Sequence, residues 1–392
     1  MSEPHRSSPS PAVAVDFDPH DPAVLADQRR ACDSLRDHCP VARIGPSHWF
    51  ALGHADVRRV IEDHETFSNV VSTAHPAVPH GMDPPEHTAY RAALAPCFDD
   101  ELVAGLEPAL RRAAGRLVDI ACRVGTVELT HVALRYAALA QCIYLGWPDD
   151  PAHRLIDWTR RNQRATAAAD RPALEAIGRE LASLVADITR ERLAAGDERD
   201  DVTARLLRAR VDGRRIERAA LTSILRNVTM GEVGTIAASV GILVHDIAAD
   251  DGLQVHVRRQ LQLLPAFIDE LLRRNGPLVS NRRRATRDVT LGGRPIRRGD
   301  RVTVNWIAAN RDPAVFPDPD RVRLDRNPAD NLLFGSGIHA CPGAALSQLE
   351  LRVFMEELLA ATREIRLVDD APPVNARPPA AGFASLAVRL VT

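Results

Sequence analysis

The run Phe334-Gly335-Ser336-Gly337-Ile338-His339-Ala340-Cys341-Pro342-Gly343 places a glycine-rich loop and one cysteine directly ahead of an apolar helical pattern, and it restricts the fold more tightly than any other stretch of the chain. Beyond it, Ala344, Ala345, Leu346, Leu349, Leu351, Val353, Phe354, Leu358 and Leu359 recur at spacings of three and four, which predicts a long helix buried on much of its surface. Pro342 suits the first turn of that helix, where a missing N–H costs nothing. A sulfur at a helix N-terminus meets unpaired N–H groups and the positive end of the dipole. Cys341 is therefore expected to favour the thiolate, as a nucleophile or a metal ligand. Gly335 and Gly337 let the backbone approach a large flat body, or adopt conformations closed to residues with a Cβ.

Two other readings of the loop are weaker. Gly335 to Ala340 fits a dinucleotide fingerprint ending in alanine, but the residues just upstream, Pro328, Asp330 and Asn331, do not form a strand-like run. A structural zinc site wants several Cys or His at ligand spacing, and His339 with Cys341 is one pair. A plain buried cysteine after a turn is the unremarkable alternative.

The chain of 392 residues is long enough for two domains, and its 45% hydrophobic content is ample for a large core. A formal net charge of -2 excludes a generally basic surface of the nucleic-acid-binding kind. The chain contains no lysine, so its 50 strongly basic residues are all arginine, a codon preference rather than a functional signal. Six cysteines scattered without framework spacing (Cys32, Cys39, Cys97, Cys122, Cys142 and Cys341) suit a reducing cytoplasm. The Ser- and Pro-rich start has neither a signal-peptide core nor a membrane-length run. Residues 1–15 are expected to form a disordered tail, with no membrane anchor.

Periodicity and turn residues predict helices at 22–39, 54–63, 86–96, 100–124, 131–145, 151–169, 171–195 and 216–249, and another spanning 264–273. Strand-like alternation marks 41–44 and 49–52 around Gly45-Pro46-Ser47, the region 287–304 around Gly292-Gly293, and 384–390. Pro76, Pro79, Gly81 and Pro84 make 68–82 a long loop. With no repeat or linker, residues 16–392 are expected to be a single mainly α (α+β) domain with small peripheral sheets.

The Cys341 loop resembles the haem-binding loop of the cytochrome P450 family, with Phe334, Gly335, Gly337, His339, Cys341 and Gly343 where that family's pattern has them. The resemblance runs from about residue 16 to the end and implies haem b lying between the long central helix and the Cys-loop helix. It makes Cys341 the axial ligand, a thiolate that favours oxygen activation over oxygen storage. Glu270 and Arg273, three apart on one helix face, match the family's Glu-x-x-Arg structural pair, although such pairs are usually exposed. In Asp83-Pro84-Pro85-Glu86-His87-Thr88-Ala89-Tyr90-Arg91, His87 and Arg91 match residues that bind a haem propionate. Arg283, within Arg282-Arg283-Arg284, falls at the other propionate arginine, and His339 is the fourth candidate. The neighbouring arginines could present charge to an acidic electron donor. The segment from Asn310 to Pro319 also resembles the family's stretch ahead of the haem loop.

One departure stands out. The family's central helix carries an acid directly before a threonine, and here Met230-Gly231-Glu232-Val233-Gly234-Thr235 puts Gly234 in the acid's place. Glu232 and Thr235 are one turn apart, so they could hold a water chain that relays protons. Glu232 could instead face the substrate, or simply be exposed. The resemblance lines the pocket with Val228, Gly231, Leu278, Val279, Ser280 and Phe383, together with the loop around residues 70–82. The implied activity is a cytoplasmic bacterial haem-thiolate monooxygenase acting on a small organic molecule, fed by a separate ferredoxin or flavodoxin and its reductase. A peroxide-driven haem oxidase, an oxidative coupling enzyme and a non-catalytic haem sensor or ligand-binding protein remain open at this point.

Overall fold

The fold is given by a computed structural model, which describes residues 15–18, 21–72, 77–194, 199–377 and 380–392. The expected tail, except for Val15, and residues 73–76 of the expected loop lie outside the described residues. The first expected helix is two. Asp27 ends Pro22–Ala26 and caps α1 (Gln28–His38) by accepting from the Arg30 N–H, the usual role of an aspartate at a helix start. The turn at Gly45-Pro46-Ser47 then joins β1 (Val41–Gly45) to β2 (His48–Ala51), and α2 (His54–Glu62) follows with β3 (Phe67–Ser68) behind it.

After the loop come α3 (Glu86–Leu94), α4 (Glu107–Val124) and α5 (Leu129–Leu145). The single helix expected over residues 100–124 is broken at Leu106, because Pro108 has no N–H and can only sit in a first turn. Helices Pro151–Ala167 and Arg171–Ala194 stand where expected, whereas Val202–Arg208, capped by Asp201, was not anticipated. The longest helix, α6 (Arg218–Ala249), is apolar on nearly all sides, and it packs against α5, against Arg171–Ala194 and against two later helices, α7 (Leu264–Arg274) and α8 (Ala344–Ala361). Its length and composition would suit a membrane span, but it is the core helix of a helical layer. Between α6 and α7, Asp250 caps a further unexpected helix, Asp251–Arg259.

The run Arg282-Arg283-Arg284 lies inside a strand, β4 (Ser280–Ala285), paired antiparallel with β5 (Arg301–Asn305). Strand alternation turns Arg283 inward, buried, and its two neighbours outward. The sheet order is β1-β2-β5-β4-β3. The region 384–390 is likewise two short strands, Phe383–Ser385 and Ala387–Val391, serving different sheets. Helices therefore dominate one side of the molecule and the five-stranded sheet the other, with the Cys341 loop running between α2 and α8.

Candidate active site

The cysteine loop is closed by its own backbone. Gly335 and Gly337 both take φ of 70°, and a Cβ on Gly337 would approach the Ile61 carbonyl to 3.1 Å, so glycine is required there. The Cys341 N–H donates to the Phe334 carbonyl at 2.8 Å, which pins the sulfur-bearing residue across the loop, and the Ser336 hydroxyl donates to Glu62 of α2 at 2.7 Å. Gly343 ends the loop against the Phe98 ring. Two expectations need correction. The helix starts at Ala344, so Cys341 stands three residues ahead of it and Pro342 occupies the preceding turn rather than the helix itself. Nor is the thiol lowered: burial pushes it up, opposed by a hydrogen bond from the Gly343 N–H and by the Arg91 charge. Cys341 has an exposed surface yet is ringed by protein, which describes a recessed sulfur.

Four basic side chains gather on one side of this loop. His87 of α3 and His339 lie with ring centroids 4.2 Å apart. His87 Nδ1 and His339 Nε2 are buried without a hydrogen-bond partner. Burial and the surrounding positive charges lower both rings, His339 to about 3, so they are neutral. Arg91 donates to the Ala340 carbonyl at 3.0 Å, and Arg283 only to the carbonyl of Arg282 at 2.9 Å. Neither arginine has a carboxylate partner among the described residues, and burial lowers Arg283 to about 10. A buried charge without a counter-ion and a buried ring nitrogen without a hydrogen-bond partner are both costly. These four side chains suit a ligand that brings its own carboxylates.

On α6 the Thr235 hydroxyl donates to the carbonyls of Gly231 at 2.6 Å and Glu232 at 3.1 Å. The Glu232 side chain does not join it. It is buried, which removes the exposed reading, and with the Gln141 amide of α5 oriented so that both its ends are satisfied, the Glu232 carboxyl accepts from that amide, within electrostatic reach of Glu350 of α8. The sequence reading missed Gln141 and Glu350; the available signal was an acid on the otherwise apolar flank of α8.

Glu270 and Arg273 form a bidentate ion pair at 2.7 and 3.0 Å, with Arg273 only 1% exposed. The pair extends further than its spacing suggests. Arg326 donates to Glu270 at 2.9 Å, the Arg323 N–H does so at 3.1 Å, and Arg273 also holds the carbonyls of Asn310 and Pro319. Asn310 in turn accepts from the Leu332 N–H at 2.7 Å, two residues ahead of Phe334.

The pocket segments differ in what they present. Val71, Met230 and Leu278, from three separate segments, are exposed large apolar side chains, and Gly231 is exposed beside Met230. Val228 and Ser280 are half-buried and Val279 is buried. The loop is tied to α6 by Val78, whose N–H donates to Ser223 and whose carbonyl accepts from Asn227. Phe383 packs instead on His245, at 4.5 Å between ring centroids, and beside Gly241, more than a turn beyond Thr235 along α6.

A recessed cysteine sulfur, with two arginines and two neutral histidines that lack carboxylate partners at its side, fits a haem-thiolate protein. The comparisons with known proteins agree. The family model described as Cytochrome P450 matches residues 244–373. Putative cytochrome P450 126 of Mycobacterium tuberculosis is 31% identical over 349 residues, covering 83% of this chain and 84% of that protein. Erythromycin C-12 hydroxylase of Saccharopolyspora erythraea is 28% identical, over 86% of this chain and 88% of the relative. Among solved structures, a mutant of P450 EryK in complex with erythromycin B superposes with a TM-score of 0.85 at 26% identity, covering 94% and 97% of the two chains. The chain belongs to the cytochrome P450 family. It is a haem b monooxygenase, an oxidoreductase with the P450 fold.

Proposed function

We propose that residues 16–392 act as one domain in which Cys341 ligates the haem iron, His87, Arg91, Arg283 and His339 bind the two propionates, and the Glu270–Arg273 pair braces the segment behind. The observation that carries this reading is the set of four basic groups without carboxylate partners beside the recessed sulfur. When bound there, a thiolate-ligated haem would activate dioxygen with two electrons and two protons, so that one oxygen atom enters the substrate and the other leaves as water. The protein's own residues position and protect. Gly335 and Gly337 would bring the backbone close, the Gly343 N–H bonds to the sulfur, and Thr235 carries a hydroxyl on α6. Val71, Met230 and Leu278 favour a substrate with a largely apolar body, to be enclosed by the loop that Ser223 and Asn227 anchor. Relatives named for hydroxylation or epoxidation of erythromycin, mycinamicin and cyclomarin support a role in secondary metabolism. Electrons come from a separate ferredoxin or flavodoxin and its reductase, and the protein works in the cytoplasm.

The test is a titration of the ferric protein with terpenes, macrolides, aromatic acids, fatty acids and amines. Compounds that shift the haem to high spin are then taken into turnover under isotopically labelled dioxygen. One labelled oxygen atom in the product is expected. Unlabelled product, or turnover driven by peroxide and never by a reductase chain, would overturn the assignment.

A further inference from the structure

Arg226 stands on α6 between the two residues that fasten the loop to that helix. Ser223, one turn before it, accepts from the Val78 N–H at 3.1 Å, and Asn227, next to it, donates to the Val78 carbonyl at 3.2 Å. The loop therefore crosses α6 beside Arg226. Arg226 takes no part in the fastening. Its Nε is buried without a hydrogen-bond partner, and its guanidinium forms neither an ion pair nor a hydrogen bond with any described residue. An arginine in open water needs no partner, but this one is half-buried and has lost hydration at Nε with no counter-ion in return.

His80 lies two residues beyond Val78 on the same loop. Its carbonyl accepts from Asn69 Nδ2 at 2.9 Å, which holds the backbone, while its ring bonds to no described residue. It has an exposed surface yet is surrounded by protein, as Cys341 is, so it too borders a recess. Burial, and after it Arg91, His87 and Arg226, lower the ring from its ordinary value, which leaves it neutral with one N–H to donate. The acids nearest along the two segments are already engaged. Asp83 accepts from the Ser68 hydroxyl and the Asn69 N–H, and Glu232 accepts from the Gln141 amide.

The recess continues along the helix. Met230, one turn beyond Arg226, and Gly231 are exposed although α6 is the core helix of its layer, so they face a hollow inside the molecule. A Cβ at Gly231 or Gly234 would meet no atom within 4 Å, which leaves that hollow wide as far as Thr235. The nine steps from Arg226 to Thr235, at 1.5 Å each, separate the two by about 13 Å along the axis. Two donors without acceptors thus mark one end of an apolar hollow, and a hydroxyl marks the other.

We propose that Arg226 and His80 bind a carboxylate on the substrate, which makes the substrate an extended apolar acid whose oxidised carbon lies toward Thr235. A guanidinium matches the two oxygens of a carboxylate and supplies the missing counter-charge, and the His80 N–H adds a third donor. The apolar body then lies along Met230, Gly231 and Gly234. This deepens the monooxygenase reading and rests on it for what becomes of the substrate, whereas binding is measured without turnover.

The haem-loaded ferric protein is titrated at about pH 8 with dodecanoic acid and with abietic acid, each beside its methyl ester. Binding is read by calorimetry as well as by the haem spectrum, so that an acid which leaves the spectrum unchanged is still counted. At least one acid should bind the wild type about ten- to hundredfold more tightly than its ester, as charge-assisted hydrogen bonds allow. Arg226→Gln should abolish that preference by weakening the acid alone, Arg226→Lys should keep part of it, and His80→Leu should reduce it about two- to tenfold. Haem transfer from Arg226→Gln to an apo-globin trap should proceed at the wild-type rate. A wild type that binds neither acid more tightly than its ester overturns the proposal, and this comparison needs no variant to fold. An Arg226→Gln protein that retains the preference also overturns it, as does one that sheds haem faster, which would give Arg226 to a propionate. A wild type that prefers the acid but yields no oxygenated product overturns the monooxygenase reading and leaves carboxylate binding supported.

Discussion

Replacing Glu270 with glutamine tests whether the pair on α7 is structural. The substitution keeps the shape and removes the charge that faces Arg273, which is 1% exposed, and Arg326. At an exposed helix position the loss would be about 0.3–0.5 kcal/mol. Here it leaves buried guanidinium charge uncompensated, and breaking a buried pair in this way costs about 3–5 kcal/mol. At about 2 °C per kcal/mol, appropriate to a chain of this size, the melting temperature should fall by about 6–10 °C. The damage should spread toward the haem loop, because Arg273 holds the Asn310 and Pro319 carbonyls and Asn310 holds Leu332. Thermal denaturation followed by far-ultraviolet circular dichroism gives the first number, and the temperature of haem release gives the second. A shift below about 2 °C, with haem release unchanged, would refute the argument by placing the pair in the exposed class.

Other consequences follow from the same geometry. Because Glu232 is raised from its ordinary 4.5 to about 7, the unfolded chain loses its proton first, and stability should fall by up to about 3 kcal/mol as pH rises through that window. Denaturant midpoints across this range measure the fall, and Glu232→Gln should flatten it. Arg283→Leu removes a charge-assisted donor worth about 1.5–3 kcal/mol, so haem should pass to an apo-globin trap roughly ten- to hundredfold faster. Thr235→Val should leave haem binding intact and lower the product formed per reductant consumed, measured by product yield against reductant oxidised.

Much of this was legible in residue spacing. The Phe334–Gly343 loop, the helices around it and the Glu270–Arg273 spacing identify themselves because each depends on local chemistry: glycine at positive φ, apolar recurrence at 3.6, and neighbours one helical turn apart. Breaks within helices were harder to read. Asp27 and Pro108 end and restart helices through single caps and one missing N–H, which an apolar pattern running through both sites conceals. The strand character of Arg282-Arg283-Arg284 was hidden because a charged run looks solvated until pairing with β5 shows that only the middle residue turns inward. The partner of Glu232 was invisible for a different reason. Glu350 is more than a hundred residues away, and only the packing of α6 on α8 brings the two carboxyls together.

The central claim is that Cys341 holds the haem through its sulfur. The ferrous–carbon monoxide spectrum of the purified protein, recorded beside that of Cys341→His, tests it most directly. The wild type should show the red-shifted Soret band of a thiolate ligand, and the variant should lose that band even if it still binds haem. A wild type with an imidazole-type band, or a variant that keeps the thiolate band, would contradict the account.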